Sequence, residues 1–300
     1  MKKVRLNDTL EISPIIHGYW RLQDWNIPKQ KTLTLIKEAI NIGVSTFDHA
    51  DIYGGYACEA LFGQALQLDS SIRKDMQLIS KCGIKLISDK YPETKVKHYD
   101  YSYKHIVTSV ENSLRNLHTD YLDVLLLHRP SPYFAPEEVA KAFDHLSSSG
   151  KVLHFGVSNF SPQQFEMLDS YLEAPLVTNQ VEISPYCLEH FDNENMDYFL
   201  QKRIKPMAWS PLAGGRLMHP QDEKGHRIAE ALSEVAAELN IEDIDKVIYA
   251  WLLQHPAGII PIAGTQHISR LESAIAARDI TMSIEQWSKI FIASKGEELP

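Results

Sequence analysis

The sequence predicts an α/β fold, a (β/α)8 barrel of the TIM-barrel type with an N-terminal hairpin and an extra C-terminal helix. Short apolar runs of β-type residues alternate with amphipathic helical stretches, the pattern of a parallel sheet covered by helices. The runs span residues 14–20, 44–48, 76–81, 122–128, 152–157, 176–182, 205–209 and 258–262. Eight strand–helix units are most economically closed as a barrel, and a doubly wound open sheet is the alternative.

The stretches between these runs carry helix signals. Apolar residues recur at helical spacing from Ile106 to Leu117, which predicts a helix leading into the fourth strand. Ser161, Pro162 and Gln164 are typical of an N-cap, a first-turn proline and a capping-box glutamine.

The two ends of the chain add to the barrel units. The residues around 7–9 predict the turn of a small hairpin at the bottom of the barrel, and residues 283–295 predict an extra helix after the eighth unit. Barrels of this type are commonly single domains, so we expect residues 1–300 to form one domain.

Composition restricts the class of protein. A net charge of −9 disfavours nucleic acid or an anionic membrane as the main partner. No apolar stretch approaches ~18 residues, so we expect no signal peptide, no membrane span and a cytoplasmic location. The cysteines, Cys58, Cys82 and Cys187, have no metal-ligand spacing, which favours a reducing compartment without structural zinc.

Polar residues close several of the apolar runs. Asp48, Lys81 and His128 end the second, third and fourth runs, Ser158 and Asn159 follow the fifth, and Gln180 lies in the sixth. In a barrel these positions share the carboxyl-terminal rim, where active sites are built.

Asp48, Tyr53, Lys81 and His128 could act together in carbonyl chemistry. A lysine ammonium beside a tyrosine is expected to lower the pKa of the phenol, and an aspartate would fix the lysine. A histidine could orient a substrate carbonyl or share in proton delivery. Each residue also has a structural interpretation, as a capping aspartate, a packed loop tyrosine, an ion-paired lysine or a core histidine.

Several long motifs resemble the aldo-keto reductase family, of the bacterial general-oxidoreductase type. The segment at 43–54, GVSTFDHADIYG, is similar to the first family signature, and LRNL at 114–117 with DYLDVLLLH at 120–128 is similar to the second. GKV at 150–152, GVSNF at 156–160, NQVE at 179–182, SPY at 184–186 and WSPL at 209–212 continue the resemblance in the expected order.

This resemblance implies NADPH-dependent reduction of aldehydes and ketones by direct hydride transfer. It implies that Asp48, Tyr53, Lys81 and His128 are the catalytic residues, with Tyr53 as the general acid. The partner would be a small carbonyl compound. The sequence itself says little about the oligomeric state, for which a monomer is favoured.

The resemblance also implies a nicotinamide site. Ser158, Asn159 and Gln180 would bind the carboxamide, and Trp209 would stack on the ring, where the family usually has a tyrosine or another aromatic residue. No GxGxxG occurs, so a Rossmann-type site is not supported. The segment after the seventh strand, whose glycines permit close approach to a pyrophosphate, contributes Ser210, Leu212, Gly214 and Gly215.

The loop after the eighth strand bears on the choice between NADPH and NADH. Thr265 and Arg270 look like the family's ligands for the 2′-phosphate of NADP, and an arginine suits a phosphate dianion. Gly264 stands where many members carry a lysine, which weakens the preference for NADPH without removing it; NADH is the alternative.

Trp20, His49 and Arg129 are candidates for the substrate pocket. His49, where the family often has threonine, is either a core histidine or a neighbour that adjusts the charge of the catalytic network. Arg129 could hold a substrate carboxylate or form a structural ion pair. Aromatic residues of two loops, at positions 91, 99, 101, 103, 133 and 134, could form a wall suited to hydrophobic carbonyl compounds.

Two other functions remain open at this point. The chain could bind NADP as a regulatory subunit, although a sensor does not need all four catalytic groups. It could also be an aldolase that uses Lys81 as a Schiff base.

Overall fold

The computed structural model describes residues 2–300 of the chain. Eight parallel strands form a closed barrel in which each strand pairs with the next in sequence and the last returns to the first. All eight predicted strands are confirmed, and the open sheet is excluded. The strands are β1 (Ile16–Gly18), β2 (Thr46–Asp48), β3 (Gln77–Cys82), β4 (Leu122–Leu127), β5 (Val152–Ser158), β6 (Asn179–Glu182), β7 (Met207–Trp209) and β8 (Ile260–Ala263).

Helices follow the strands of the barrel, and the connections β1–β2, β2–β3, β6–β7 and β7–β8 each contain two of them. They are α1 (Leu22–Trp25), α2 (Lys29–Asn41), α3 (Tyr53–Tyr56), α4 (Cys58–Leu66), α5 (Tyr103–Leu117), α6 (Pro136–Ser148), α7 (Pro162–Asp169), α8 (Glu189–Asp192), α9 (Asn195–Lys202), α10 (Glu223–Glu238), α11 (Ile244–Leu253), α12 (Ile268–Ala276) and α13 (Ile284–Lys295). Within residues 2–300 no helix has both the length and the apolar character needed to cross a membrane.

The predicted helix signals are confirmed by the local geometry. In α5 the apolar positions from Ile106 to Leu117 are buried, and the Ser102 side chain caps the first turn. Ser161 and Gln164 form a complete capping box at the start of α7. The extra C-terminal helix, α13, begins with a second capping box at Ser283.

The N-terminal hairpin is also present. Val4–Arg5 pairs antiparallel with Glu11–Ile12. The Asn7 amide lies 3.3 Å from Nδ1 of His154, close to the amino end of β5. This contact is consistent with a hairpin at the end of the barrel opposite the carboxyl rim.

The chain divides into two compact units. The first contains residues up to Asn179 together with Gly264–Ile268, and the second contains Gln180–Ala263 and Ser269–Pro300. In the first unit all six residues of β4 are buried, as expected for a strand covered on both faces. In the second unit the indoles of Trp251 and Trp287 stack at 4.7 Å. A single domain over residues 1–300 stays a prediction.

Candidate active site

Three strand ends of the first unit bring charged side chains together. Asp48 is the last residue of β2, Lys81 is the penultimate residue of β3, and His128 directly follows β4. The parallel register pairs Asp48 with Ile79 and Lys81 with Leu126. The three side chains therefore lie at adjacent carboxyl ends, as the sequence predicts.

Tyr53 is the first residue of α3, the short irregular helix after β2. The two glycines that follow it, Gly54 and Gly55, have φ values of 58° and 60°. Glycine adopts this left-handed region without the steric penalty of a Cβ. A Cβ at Gly54 would lie 2.5 Å from the Gln23 side-chain oxygen, so this tight turn beside Tyr53 requires glycine.

Lys81 connects Asp48 to Tyr53. Its Nζ lies 2.7 and 2.8 Å from the two carboxylate oxygens of Asp48 and 3.0 Å from the Tyr53 hydroxyl. It also donates to the backbone carbonyl of His49 at 2.8 Å. Lys81 and Asp48 are only 1% and 3% exposed. A buried ammonium needs a counter-charge and further hydrogen-bond acceptors. Asp48 supplies the charge, and the His49 carbonyl and the Tyr53 hydroxyl are the further acceptors.

Burial shifts the pKa values of Lys81 and Tyr53 in opposite directions. It lowers the pKa of Lys81, while the Asp48 carboxylate acts against that change. Burial first, and the Asp48 charge second, raise the pKa of Tyr53 well above its usual value. The net shift of the phenol pKa is therefore upward and not downward, because desolvation and the Asp48 carboxylate outweigh the lowering by the nearby Arg129 charge. Tyr53 keeps its proton at neutral pH.

His128 lies beside Tyr53, with the two rings 5.8 Å apart in an edge-to-face arrangement. Burial, and then the charges of Lys81 and Arg129, hold the pKa of His128 well below its usual value. The imidazole is therefore neutral at neutral pH. Its Nδ1 is buried and has no hydrogen-bond partner within residues 2–300.

His49 is fully buried, which corrects its placement in a substrate pocket. Its ring stacks on Tyr19 at 5.3 Å and contacts the edge of Phe62 at 4.4 Å. Neither ring nitrogen has a hydrogen-bond partner among the described residues. Burial, followed by the charges of Lys81 and His17, lowers the pKa of His49 to about 3. Its side chain is therefore a neutral core group.

Trp20 borders the candidate site. The indole is 59% exposed, and its ring lies 6.5 Å from that of Tyr53. The guanidinium of Arg21 lies 5.5 Å from the indole ring. Arg129, directly after His128, is partly exposed. Trp20 and Arg129 thus lie near the acid–base residues, whereas His49 belongs to the core.

The loop after β3 does not supply the expected continuous aromatic wall. Tyr91 packs against Tyr56 at 4.8 Å, and Tyr101 is buried with its hydroxyl bonded to the backbone of Arg129. Tyr133 is 92% exposed. Tyr91, Tyr101 and Tyr133 therefore have separate surroundings, although Tyr101 contacts Phe134 at 5.4 Å, and these three tyrosines do not form one wall.

Four residues predicted to bind the cofactor belong to the first unit. Ser158 ends β5, and the Asn159 amide donates to the Ser158 hydroxyl at 2.8 Å and to the carbonyl of His128 at 3.3 Å. Gly264 is exposed, and the buried Thr265 accepts a hydrogen bond from the His267 amide at 3.1 Å.

The other predicted cofactor residues lie in the second unit. Gln180 is buried in β6, Trp209 ends β7, and Ser210 and Leu212 follow it. A Cβ at Gly214 or Gly215 would meet nothing within 4 Å, so these positions leave open space beside the backbone. Their positive φ values, 68° and 101°, suit glycine. These surroundings fit the approach of a pyrophosphate group.

Arg270, the remaining predicted cofactor residue, is exposed in the first turn of α12. Within residues 2–300 no carboxylate forms an ion pair with it. A free surface guanidinium suits a phosphate ligand.

Sequence reasoning missed two contacts that support the site. The His49 carbonyl accepts from Lys81, and the Asn159 amide bonds to the carbonyl of His128. The first acceptor is a backbone group and leaves no sequence signal. The second joins residues 31 positions apart, and only the strand pairing brings them together. Within residues 2–300, no group of three or more His, Cys, Asp or Glu side chains could hold a metal ion.

The family model described as the Aldo/keto reductase family matches residues 14–295. The chain therefore belongs to the aldo-keto reductase family, and it is an NAD(P)H-dependent oxidoreductase of carbonyl compounds.

Individual proteins agree with this assignment. The chain is 48% identical to an uncharacterized oxidoreductase, YcsN, of Bacillus subtilis (strain 168), with 100% of both chains covered. It is 40% identical to a 6-dehydroglucose reductase of Agrobacterium fabrum (strain C58), again with 100% of both covered. It is 25% identical to the thermostable aldo-keto reductase Tm1743, whose crystal structure contains the inhibitor epalrestat, with a TM-score of 0.81 and coverage of 98% of this chain and 100% of that chain.

Proposed function

We propose that the protein reduces aldehydes and ketones to alcohols with NADPH, and that Tyr53 is the general acid, assisted by Lys81, Asp48 and His128. The observation that carries the proposal is the hydrogen-bonded series from Asp48 through Lys81 to Tyr53, with distances of 2.7 and 3.0 Å. The Tyr53 side chain is only partly buried, and the exposed indole of Trp20 lies beside its ring.

Tyr53 would protonate the substrate oxygen while hydride adds to the carbonyl carbon. Because its pKa is raised, the phenol holds its proton until negative charge develops on that oxygen. Transfer breaks the phenol O–H bond and leaves a phenolate 3.0 Å from the Lys81 ammonium. The ammonium stabilises this charge, which lowers the energy of the transition state. The phenolate regains a proton from solvent after the alcohol leaves.

His128 would orient the carbonyl. A neutral imidazole has one N–H donor, which can bond to the substrate oxygen next to the Tyr53 hydroxyl. The low pKa of His128 supports this role, because a neutral ring adds no second positive charge near Lys81. The proton on the substrate oxygen would therefore come from Tyr53.

The residues that would hold NADPH are the following. Ser158, Asn159 and Gln180 would bind the carboxamide, Trp209 would pack on the ring, and the segment with Ser210, Leu212, Gly214 and Gly215 would receive the pyrophosphate. When bound, the reduced nicotinamide supplies the hydride. The open space beside Gly214 and Gly215 supports this assignment.

Thr265 and Arg270 would bind the 2′-phosphate and favour NADPH over NADH. An exposed guanidinium can form charge-assisted hydrogen bonds with a phosphate dianion, which NADH lacks. Gly264 offers no charge at the neighbouring position, so NADH binding is expected to be weaker but measurable.

The substrate class follows from the residues around Tyr53. Trp20 offers an exposed apolar surface and Arg129 a cation, a combination that suits a small carbonyl compound with an additional polar group. The name of the Agrobacterium relative adds a sugar aldehyde to the candidates. The cytoplasmic location and the monomeric state stay predictions.

The test combines binding and turnover. We expect protein fluorescence to titrate more tightly with NADPH than with NADH, and we expect turnover on a panel of aldehydes, ketones and sugar aldehydes. Tyr53→Phe should lower kcat by about 10²–10⁴-fold and leave the NADPH Kd nearly unchanged. Tyr171→Phe, at a surface position that is 46% exposed, is the control.

Three results would count against the proposal. Tight NADPH binding without turnover on any carbonyl would favour a regulatory subunit. Unchanged turnover by Tyr53→Phe would remove Tyr53 from the mechanism. Trapping of a borohydride-reduced adduct on Lys81 would indicate the aldolase chemistry instead.

A further inference from the structure

Tyr101 forms an unusual pair of contacts with the chain beside His128. Its side chain is 4% exposed. The hydroxyl donates to the carbonyl of Arg129 at 2.5 Å and accepts from the amide of the same residue at 3.0 Å. One buried hydroxyl therefore satisfies both backbone polar groups of the residue that follows His128.

The Tyr101 ring has a fixed position against the end of β3. A Cβ at Gly83 would come within 1.9 Å of the ring, so the ring occupies the space that a larger residue would need. The neighbouring Asp100 amide donates to the Gly83 carbonyl at 2.8 Å. A short antiparallel pair, Ile84–Lys85 with His98–Tyr99, brings the chain back to this point.

Tyr101 also contacts the loops that follow β4 and β5. Phe134 packs edge-on against the Tyr101 ring at 5.4 Å, and Phe160 packs against Phe134 at 6.2 Å. The Asn179 side chain in turn donates to the Phe160 carbonyl at 2.7 Å. Tyr101 thus lies where three strand-end segments of the first unit meet.

The orientation of His128 depends on its backbone. The His128 amide donates to the Cys82 carbonyl at 3.0 Å, and its carbonyl accepts from Asn159 at 3.3 Å. The ring, in contrast, has no partner at Nδ1 within residues 2–300. A histidine is usually oriented through the nitrogen that does not act on the substrate. Without that bond, the direction of the imidazole is set by the backbone path through His128 and Arg129 together with the packing of the ring on Tyr53.

We propose that Tyr101 is a positioning residue for the reaction. Its hydroxyl fixes the peptide groups of Arg129 and thereby holds the His128 imidazole in place beside Tyr53. The role rests on the proposed function, because it acts through His128 and involves no contact with substrate. The lack of a side chain at Gly83 supports this role, because it lets the Tyr101 ring lie where its hydroxyl reaches both the amide and the carbonyl of Arg129.

The test uses Tyr101→Phe, which keeps the ring in its position and removes only the hydroxyl. We expect kcat to fall about tenfold, since small misplacements of a reacting group reduce rate strongly, while the NADPH Kd changes less than about twofold. The Arg129 amide should exchange faster with deuterium, and the ring NMR signal of His128 should shift. Tyr249→Phe, which alters a buried tyrosine in α11, is the matched control.

A double-mutant comparison tests whether Tyr101 acts through His128. In a His128→Ala background, Tyr101→Phe should change kcat less than about twofold, because the group that it positions is absent. A tenfold loss in that background would overturn the proposal. So would a Tyr101→Phe enzyme that matches Tyr249→Phe in kcat and in the His128 signal.

Failure of the proposed function gives a different result. If the unaltered protein reduces no carbonyl compound, the proposed reductase function is wrong. The deuterium-exchange and NMR measurements still show whether Tyr101 holds the His128 imidazole in place. Unchanged Arg129 exchange and an unchanged His128 signal in Tyr101→Phe would then overturn it, and changes in both would support it.

Discussion

The ammonium of Lys81 donates a hydrogen bond to the hydroxyl of Tyr53 across 3.0 Å, although the two residues are 28 positions apart in sequence. The same ammonium is paired with Asp48, so the charge that is available to a phenolate is itself held by a carboxylate. Burial favours the neutral form of both Lys81 and Tyr53. The Asp48 carboxylate raises the pKa of both groups, which opposes the effect of burial at Lys81 and adds to it at Tyr53. It therefore helps to keep an ammonium beside a protonated phenol.

Replacement of Lys81 by methionine tests this arrangement. Lys81→Met leaves the Asp48 carboxylate buried without its cation, and loss of one partner of a buried pair typically lowers the free energy of unfolding by about 3–5 kcal/mol. We expect a loss of this size in urea denaturation, together with loss of carbonyl turnover. Lys246→Met is the control, because the Lys246–Asp243 pair is partly exposed and exposed pairs contribute about 1 kcal/mol or less.

A second substitution separates stability from activity. Adding Asp48→Asn to Lys81→Met removes the uncompensated charge, so part of the lost stability should return while turnover stays absent. If Lys81→Met were as stable as Lys246→Met, the buried pair would not have the energetic role described for it.

Periodicity and residue types predicted most of the architecture. Apolar runs such as β4 are buried through their whole length, so their composition alone identifies them, and polar residues at their ends predicted that Asp48, Lys81 and His128 would meet. Boundaries were less certain: the sixth run begins at residue 176 in the sequence, whereas β6 begins at Asn179.

Other features of the site could not be read from the sequence. The direction of the Tyr53 pKa change depends on how much water the fold removes, whereas the sequence shows only the charged neighbours. His49 lies beside a catalytic aspartate in sequence, but its side chain points into the aromatic core. The contact of Tyr101 with Arg129 joins residues 28 positions apart and requires the whole loop path.

The buried His49 ring predicts a specific pH dependence of stability. Its pKa is about 3 in the folded protein, while an unfolded histidine titrates near ~6.5. Below that pH the unfolded state binds more protons, so this group lowers stability by about 1.4 kcal/mol for each unit that the pH falls from ~6.5 towards 3. Above pH ~6.5 it has no effect on the slope.

His49→Phe isolates this contribution. Phenylalanine keeps a ring beside Tyr19 and Phe62 and removes two unpartnered nitrogens, so the variant should be at least as stable at pH 7. Urea denaturation between pH 7.5 and 4.5 should give a shallower loss of stability for the variant, with the two curves diverging as the pH falls. Parallel curves over that interval would show that His49 does not titrate as the structure implies.

The contact between Gly83 and Tyr101 predicts a large effect of a single methyl group. Gly83 has a φ of +107°, and a Cβ there would lie 1.9 Å from the Tyr101 ring. Gly83→Ala should therefore combine backbone strain of about 1–2 kcal/mol with overpacking of about 1–3 kcal/mol. Gly150→Ala is the control for strain alone, because Gly150 has a φ of +69° with nothing within 4 Å.

Both variants can be compared by thermal and urea unfolding. We expect Gly83→Ala to be the less stable by at least about 1 kcal/mol, and we expect its kcat to fall as the Tyr101 ring is displaced. Equal stability of the two alanine variants would mean that the Tyr101 ring moves aside without penalty, so that it is not fixed against β3.

The preference for NADPH over NADH can be tested with two substitutions, one at Arg270 that should weaken NADPH binding and one at Gly264 that should strengthen it. Charge-assisted hydrogen bonds contribute about 1.5–3 kcal/mol, so Arg270→Ala should raise the NADPH Kd by about 10–100-fold. The NADH Kd should not change, because NADH has no 2′-phosphate. Since Arg270 is exposed, the NADPH Kd of the unaltered protein should also rise with salt, and that dependence should weaken in the variant.

Gly264→Lys supplies the converse change. A Cβ at Gly264 meets only the Gly18 carbonyl, at 3.8 Å, so a side chain can be added without a clash. The new ammonium should lower the NADPH Kd relative to that for NADH, and Gly264→Ala is the control for the added Cβ. Fluorescence titrations measure the ratio of the NADPH Kd to the NADH Kd in each variant. If this ratio were the same for Gly264→Lys and Gly264→Ala, the loop after β8 would not bind the 2′-phosphate, and the cofactor preference would have to come from another part of the chain.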